Sequence, residues 1–256
     1  MGSDMAGVSG RVALVTGAGA AEGIGFAVAM ALAAAGAHVA IAATTPRIFE
    51  RLDELGAGHA AFTADLTDSA DVARLVAEVA SRLGQAEIVV NNAGMIQQGK
   101  KHKLARVEAI SDDDWAAHMA MNVTTAFNMT RAVLPAMQSR GYGRIVNVAS
   151  VTGPVVTIEK TAGYSAAKAA MTGLTRATAL ENARLGITCN AVLPGWIATG
   201  SATAREIAAG KRSPTGRPGR PDEVASACLF LASEEASYIN GAMLVVDGAN
   251  SLIEMK

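Results

Sequence analysis

The sequence predicts an α/β fold, a doubly wound parallel sheet of about seven strands with helices on both faces, and three observations carry that prediction. Short apolar runs alternate with longer helical patterns along nearly the whole chain, the rhythm that places a helical crossover between parallel strands. Runs such as Ile145-Val146-Asn147-Val148 are almost continuously apolar, as strands covered on both faces must be. Half of the 256 residues are hydrophobic and only 18% are charged, which supplies one large core and excludes intrinsic disorder.

Each element follows in order. The first strand is expected at Val12–Thr16, and the alanine-rich stretch Ile24–Ala35 reads as the helix behind it. His38–Ala42 and His59–Thr63 read as strands flanking the helical pattern Ile48–Leu55, and Ala70–Leu83 as the helix before the strand Ile88–Val90. One long helix, Asp113–Gln138, precedes the strand Arg144–Val148; a second, Tyr164–Leu185, precedes Ile187–Val192. Asp222–Leu231 then leads into a last strand, Leu244–Val246. Two stretches break the rhythm: Gln97–Arg106 is polar and basic, and Ser201–Pro221 is rich in Pro, Gly and basic residues. Both read as loops, and because alternation resumes after each, neither reads as a linker. Residues 11–256 are therefore expected to form one domain behind an N-terminal tail, 1–10, whose first four residues read as an expression scar.

Charge and composition exclude several classes. Lys+Arg is 22 against Asp+Glu 23, a net charge of −1, so no global attraction to nucleic acid or anionic membrane follows. The most apolar stretch, Gly23 to Ala43, contains glycines and His38 and reads as a buried helix and strand, not a membrane span. The N-terminus lacks a basic region followed by an apolar one, and Cys189 and Cys228 fit no metal or redox spacing. A cytoplasmic location is expected, with both cysteines as core packing. His38, His59, His102 and His118 are too scattered for a metal site, and none is expected.

The chemistry begins where the first strand ends, in Thr16-Gly17-Ala18-Gly19-Ala20-Ala21-Glu22-Gly23-Ile24-Gly25. Glycines there let the backbone turn sharply and approach a pyrophosphate, while the helix that follows presents free amides and its positive dipole end. A glycine cluster alone is as readily an ordinary tight turn; its place between a first strand and a helix is what points to a dinucleotide. Further on, Tyr164 and Lys168 stand four apart in a helical stretch and so share one face. Such a pair is usually inert surface. Here an ammonium near a phenol would favour the phenolate and suit the phenol to proton exchange, the task of a carbonyl reductase. Ser150 closes the strand Arg144–Ala149, where parallel-sheet loops present functional groups, and its hydroxyl can hold a substrate oxygen.

Taken together these residues resemble the classical short-chain dehydrogenase/reductase family. Asn91-Asn92-Ala93-Gly94, Asn122, Pro194-Gly195 and Val246-Asp247-Gly248 extend the likeness, which spans roughly residues 10–250. Gly216-Arg217-Pro218 and Pro221-Asp222-Glu223-Val224-Ala225 make the chain most similar to 3-oxoacyl-[acyl-carrier-protein] reductases. The resemblance implies a Rossmann-like domain and an NAD(P)-dependent oxidoreductase, with catalytic Asn122 (a water-mediated proton relay), Ser150, Tyr164 and Lys168. It implies cofactor contacts from Gly17, Gly19, Gly23, Ile24 and Gly25, from Asp65 and Leu66 at the adenine, and from Asn92, Ala93 and Gly94 at the ribose. Tyr164 and Lys168 would also border the cofactor, and Pro194, Gly195, Ile197 and Thr199 would hold its carboxamide. A homotetramer built across the two long helices and across the last helix and strand is implied as well. The chain departs from the family in its turn, where five residues separate Gly17 from Gly23 in place of the usual three, leaving open whether Gly19 or Gly23 serves.

Cofactor choice turns on the end of the second strand. A carboxylate there would bind the ribose 2′-hydroxyl of NAD(H), but the position holds Ala42-Ala43-Thr44-Thr45. Thr44 leaves room for a 2′-phosphate and Arg47 could pair with it, which favours NADP(H); Glu22, just before Gly23, would repel that phosphate and favours NAD(H). Ser150, Thr152, Tyr164 and Trp196, with Met95, Ile96 and the rest of Thr152–Ile158, are expected to line a largely apolar substrate pocket for a small carbonyl or alcohol compound. The basic run Lys100, Lys101, His102, Lys103 and Arg106 reads as a solvated loop, or as a contact for an acyl carrier protein. An NAD-dependent catabolic alcohol dehydrogenase is the alternative reading, and a cofactor-binding scaffold without catalysis a third.

Overall fold

The computed structural model describes residues 7–94 and 105–253. Its strands are β1 (Val12–Thr16), β2 (His38–Ala43), β3 (Ala60–Thr63), β4 (Ile88–Asn91), β5 (Gly143–Val148), β6 (Ile187–Pro194) and β7 (Met243–Val246). They form one seven-stranded parallel sheet in the order β3-β2-β1-β4-β5-β6-β7, a single Rossmann-like domain. The chain winds outward from β1 to one edge, then returns to β4 and winds to the other. The crevice at the carboxyl ends of β1 and β4 is therefore the switch point where such sheets bind ligands.

The helices are α1 (Ile24–Ala34), α2 (Ile48–Leu55), α3 (Ser69–Arg82), α4 (Asp112–Met119), α5 (Thr125–Arg140), α6 (Ala162–Asn182), α7 (Ala204–Lys211) and α8 (Pro221–Ala232). Alternate strand residues serve opposite faces. Ala13, Val15, Val90 and Val146 pack with Val28 and Leu32 of α1 and Val224 and Leu231 of α8. Leu14, Val89, Ile145 and Ile187 pack with Leu75 and Val79 of α3, Met129 and Val133 of α5, and Ala179 of α6. On that second face two asparagines stand side by side in register, Asn91 of β4 and Asn147 of β5. Asn91 Nδ2 donates to Asn147 Oδ1 at 2.9 Å and to Thr130 Oγ1 at 3.2 Å, and Asn147 Nδ2 donates to Thr175 Oγ1 at 2.8 Å. Asn91 Oδ1 is buried without a partner.

Two expectations are corrected. The helix read as continuous over Asp113–Gln138 is broken into α4 and α5 by a π-helical turn, Ala120–Thr124. The cause is Asn122, whose Nδ2 donates to the His118 carbonyl at 3.0 Å and so takes the acceptor four residues back. The stretch Ser201–Pro221, read as loop, contains α7. Thr203 caps it in a reciprocal box: its hydroxyl accepts from Glu206 N at 3.3 Å, and Glu206 Oε2 accepts from Thr203 N at 2.7 Å. The last strand stands where expected, as a half-open edge with Leu244 and Val245 exposed.

Residues 7–10, read as the end of the tail, lie against the domain, with Val8 fully buried among Leu32 and Leu231. Cys189 and Cys228 are buried free thiols, each pushed up to about 12 by burial, as core packing requires. Among the described residues no helix is long and apolar enough to cross a membrane, and no three metal-ligating side chains converge.

Candidate active site

The glycine turn is locked from below by Thr16. Its hydroxyl accepts from the amides of Asn92 at 3.1 Å and Ala93 at 3.0 Å and lies 3.3 Å from the Val90 carbonyl. Asn92 returns the contact, its Nδ2 donating to the carbonyls of Thr16 and Gly17, both at 3.1 Å. The Asn92 side chain is thus committed to joining β4 to the turn. Gly17 adopts φ +67°, and a β-carbon on it would stand 2.8 Å from the Ala93 Cα. One on Gly25 would run into the Asn92 amide and stand 2.7 Å from the Gly17 carbonyl oxygen.

Of the two glycines left open by the sequence, Gly23 is the N-cap of α1, extended and with no side-chain cap, and no acidic residue lies in that first turn. The amides of Ile24 and Gly25 are then available to an anion, so this cradle fits a pyrophosphate. Gly19 serves a different neighbour. A β-carbon there would lie 3.1 Å from Ala43 Cβ, at the end of β2.

Beyond β2 lies an open hollow of about 500 Å³ lined by Thr44, Thr45, Thr63, Ala64, Asp65, Asp71 and Arg74. Arg74 is fully engaged: its guanidinium donates to Asp71 at 2.7 Å, Glu78 at 2.9 Å and the Thr63 carbonyl at 2.8 Å. Asp65 Oδ1 accepts from the amide and hydroxyl of Thr67, at 2.9 and 2.7 Å. Leu66 is buried in the core. Arg47 is exposed at the N-cap of α2 and has no ion pair among the described residues. Glu22 lies against Gly200.

At the carboxyl ends of β4 and β5 four polar side chains meet. Ser150 Oγ accepts from Thr152 N at 3.0 Å and shares a hydrogen bond with the Tyr164 hydroxyl. Burial pushes the Tyr164 phenol above its ordinary value; the Ser150 bond pulls it down and the Glu206 carboxylate pushes it up. Lys168, one turn along α6, is buried and donates to the Val148 carbonyl at 3.1 Å, with its Nζ 5.8 Å from the Tyr164 ring centre. Burial lowers Lys168 to about 8. Asn122 Oδ1 is buried with no partner. It and Lys168 Nζ each lie 3.2 Å from where a β-carbon on Gly94 would stand, so Gly94 keeps a small polar space open between them.

The remaining expected contacts fall on the β6 side. Pro194 ends β6, Gly195 N donates to the Val246 carbonyl at 3.0 Å, and a β-carbon on Gly195 would meet Asp247 Cβ at 2.6 Å. Ile197 packs on the core, and Thr199 Oγ1 lies 3.2 Å from Ser201 Oγ. Thr152 bridges to Val156, and Trp196, next to Ile197 in the chain, is partly exposed. Met95, Ile96 and the basic Lys100, Lys101, His102 and Lys103 lie outside the described residues. Arg106 pairs with Glu108 at 3.1 Å and Glu159 at 3.8 Å.

Sequence reading missed the Thr16 hydroxyl, although a threonine ending a strand before glycine was its signal. It also missed Glu206, which reaches Tyr164 only through the fold, and the hydroxyls of Thr157 and Thr161, each 3.1 Å from Ser165 Oγ beside Tyr164.

A parallel sheet with an anion cradle at its switch point, and a Ser, Tyr and Lys gathered beside it, defines a nucleotide-dependent oxidoreductase. The family model described as enoyl-(acyl carrier protein) reductase matches residues 17–249. The chain is 37% identical to oxidoreductase UcpA of Escherichia coli K12, with 98% of each covered. It is also 37% identical to the 3-oxoacyl-[acyl-carrier-protein] reductase FabG of Salmonella typhimurium, covering 95% of this chain and 98% of that one. A solved structure from Burkholderia xenovorans, assigned to the short-chain dehydrogenases/reductases, superposes with a TM-score of 0.88 at 37% identity, covering 97% and 99%. The chain belongs to the short-chain dehydrogenase/reductase family. It is an oxidoreductase that works with an NAD(P)(H) nucleotide on carbonyl or alcohol groups of small molecules.

Proposed function

We propose that this chain reduces an apolar ketone, of the 3-oxoacyl thioester kind, to a secondary alcohol with NADP(H), using Tyr164 as the proton donor. The observation that carries the reading is the convergence of Ser150, Tyr164, Lys168 and Asn122 beside the glycine cradle, with Asn122 Oδ1 left without a protein partner. When bound, the nicotinamide supplies the hydride. Ser150 holds the substrate oxygen and Tyr164 delivers a proton to it. The Lys168 ammonium steadies the phenolate that remains, and Asn122 Oδ1 accepts from a water that returns the proton. Gly17, Gly23, Ile24 and Gly25 hold the pyrophosphate while Gly19 lets the turn approach the end of β2, Asp65 and Leu66 border the adenine, and Asn92, Ala93 and Gly94 the ribose. Pro194, Gly195, Ile197 and Thr199 hold the carboxamide, and Thr152 and Trp196 line the substrate side.

NADP(H) is preferred over NAD(H) on two grounds. Arg47, three residues past Thr44, is exposed with no ion pair among the described residues, and Glu22, the residue that would repel a 2′-phosphate, lies against Gly200. The catabolic reading, an NAD-dependent alcohol dehydrogenase, differs first in this respect. A non-catalytic scaffold has no use for a buried lysine, whose burial costs stability. The test is a screen of free and carrier-borne 3-oxoacyl thioesters, other ketones and secondary alcohols, each with both nucleotides, followed by nicotinamide absorbance. Turnover of no ketone or alcohol would overturn the assignment.

A cytoplasmic homotetramer completes the proposal. On the β7 edge Leu244, Val245 and Leu252 are exposed, and on the long helices Phe127 and Leu180. Gly173 and Ala177 of α6 also face outward, while Ala167 faces the core.

A further inference from the structure

The glycine turn of this chain touches more than the cofactor groove. The Glu22 carbonyl accepts a hydrogen bond from Gly200 N at 3.3 Å. The Glu22 side chain lies so close that a β-carbon on Gly200 would stand 3.0 Å from its Oε2 and 3.4 Å from its Cβ. Glu22 is one of the five residues between Gly17 and Gly23, so this contact belongs to the lengthened turn.

What Glu22 reaches is an excursion of the chain closed at its neck. Ile197 bridges to Gly219, Ala198 N donates to the Gly219 carbonyl at 2.8 Å, and Gly219 N to the Trp196 carbonyl at 2.8 Å. Past the neck, Ala202 N returns to the Thr199 carbonyl at 2.9 Å and the Thr203–Glu206 box starts α7. α7 begins four residues past Gly200, so it is carried on the segment that the Glu22 carbonyl holds. The excursion is fixed to β6 at its neck and to the glycine turn at Gly200.

We propose that Glu22 is a positioning residue: the lengthened turn straps residues 199–212 to the cofactor groove, so that a diphosphate seated in the turn orders α7 without any help from nicotinamide. The physical basis is shared ordering. Glu22 and Gly200 are both exposed, so their backbone hydrogen bond competes with water. An anion held by the amides of α1 fixes residues 18–23, and the excursion then closes on a partner already in place. The inference rests on the reading of the turn as a diphosphate cradle.

Hydrogen exchange on the whole chain tests it, with ADP-ribose and 2′-phospho-ADP-ribose as probes, since both carry the diphosphate and lack nicotinamide. Amides of residues 17–25 and of 199–212 are both expected to slow, the second group by about fivefold or more, the scale of a weak coupling between sites. In Gly200→Val, which crowds Glu22, and in Gly200→Pro, which removes the amide that the Glu22 carbonyl accepts from, the 17–25 protection should persist while that of 199–212 is lost. The same variants should raise the KM of the carbonyl substrate about fivefold, weaken cofactor binding by a similar factor and leave kcat unchanged. Protection of the turn alone in the unmodified protein overturns the strap and keeps the cradle. Protection of neither segment overturns both. Protection of 199–212 that survives in both variants overturns the strap.

Discussion

Lys168 Nζ donates to the Val148 carbonyl at 3.1 Å, which ties α6 to the last residue of β5 and holds a cation out of water. Its value is about 8 against 10.5 when unfolded, so between those limits the folded chain binds fewer protons than the unfolded one. The cost of burying the ammonium is fully present below about pH 8 and is relieved as pH rises toward 10.5; a shift of that size corresponds to roughly 3 kcal/mol. Lys168→Met should therefore gain stability relative to the unmodified protein at pH 7, and lose that gain as pH rises through this window. Denaturant titrations at a series of pH values check it; a difference that does not vary with pH would show that the lysine is not buried as a cation. The variant should also lose turnover and bind cofactor more weakly.

Tyr164→Phe should fold and bind cofactor as before yet lose turnover by at least ~10²-fold, the scale of a positioned proton donor. Steady-state rates with nucleotide saturating are the measure. Near-normal turnover would transfer the proton to another group.

Arg47→Ala should weaken NADPH about ten- to a hundredfold, because a hydrogen bond to a charged group contributes roughly 1.5–3 kcal/mol. NADH, with no 2′-phosphate, should bind the variant as it binds the unmodified chain. Calorimetric titration of both nucleotides decides, and tighter NADH binding by the unmodified protein would reverse the assigned preference.

Light scattering at micromolar concentration should give the mass of four chains. Leu244→Lys with Val245→Glu, on the open edge of β7, should reduce it to two, leaving the pairing across α5 and α6. A monomer in the unmodified protein would remove the tetramer.

Most of the fold was legible because its signals are local. The bounds of β1 and α2 match the sequence reading, and the other strands differ by one or two residues at their ends. Legibility failed where a side chain or a distant contact decides. Nothing in the apolar pattern of 113–138 announces that the Asn122 amide will capture the His118 carbonyl and widen one turn. The Thr203–Glu206 box was readable, but Pro214, Gly216, Pro218 and Gly219 outweighed it. In the site, Ser150, Tyr164 and Lys168 were found from chemistry and spacing. That Gly23 caps α1 while Gly19 meets Ala43, and that Asn92 braces the turn, depends on strands brought together from far along the chain.

The paired asparagines of β4 and β5 have a consequence for how the sheet finds its alignment. Val89 and Val90 are nearly interchangeable, so a sheet of valine and isoleucine alone would tolerate a slip of β4 along β5. Sliding by one position turns Asn91 to the opposite face, among the side chains of Val28, Val146 and Val224, away from Asn147 and Thr130. Each amide group stranded there would cost roughly 1–3 kcal/mol, whereas the correct pairing gains little, since Asn91 Oδ1 is unmatched even in the native arrangement. The two residues thus act as a key that rejects shifted assemblies, and their replacement by valine should leave a sheet of similar strength that is slower to settle on one alignment.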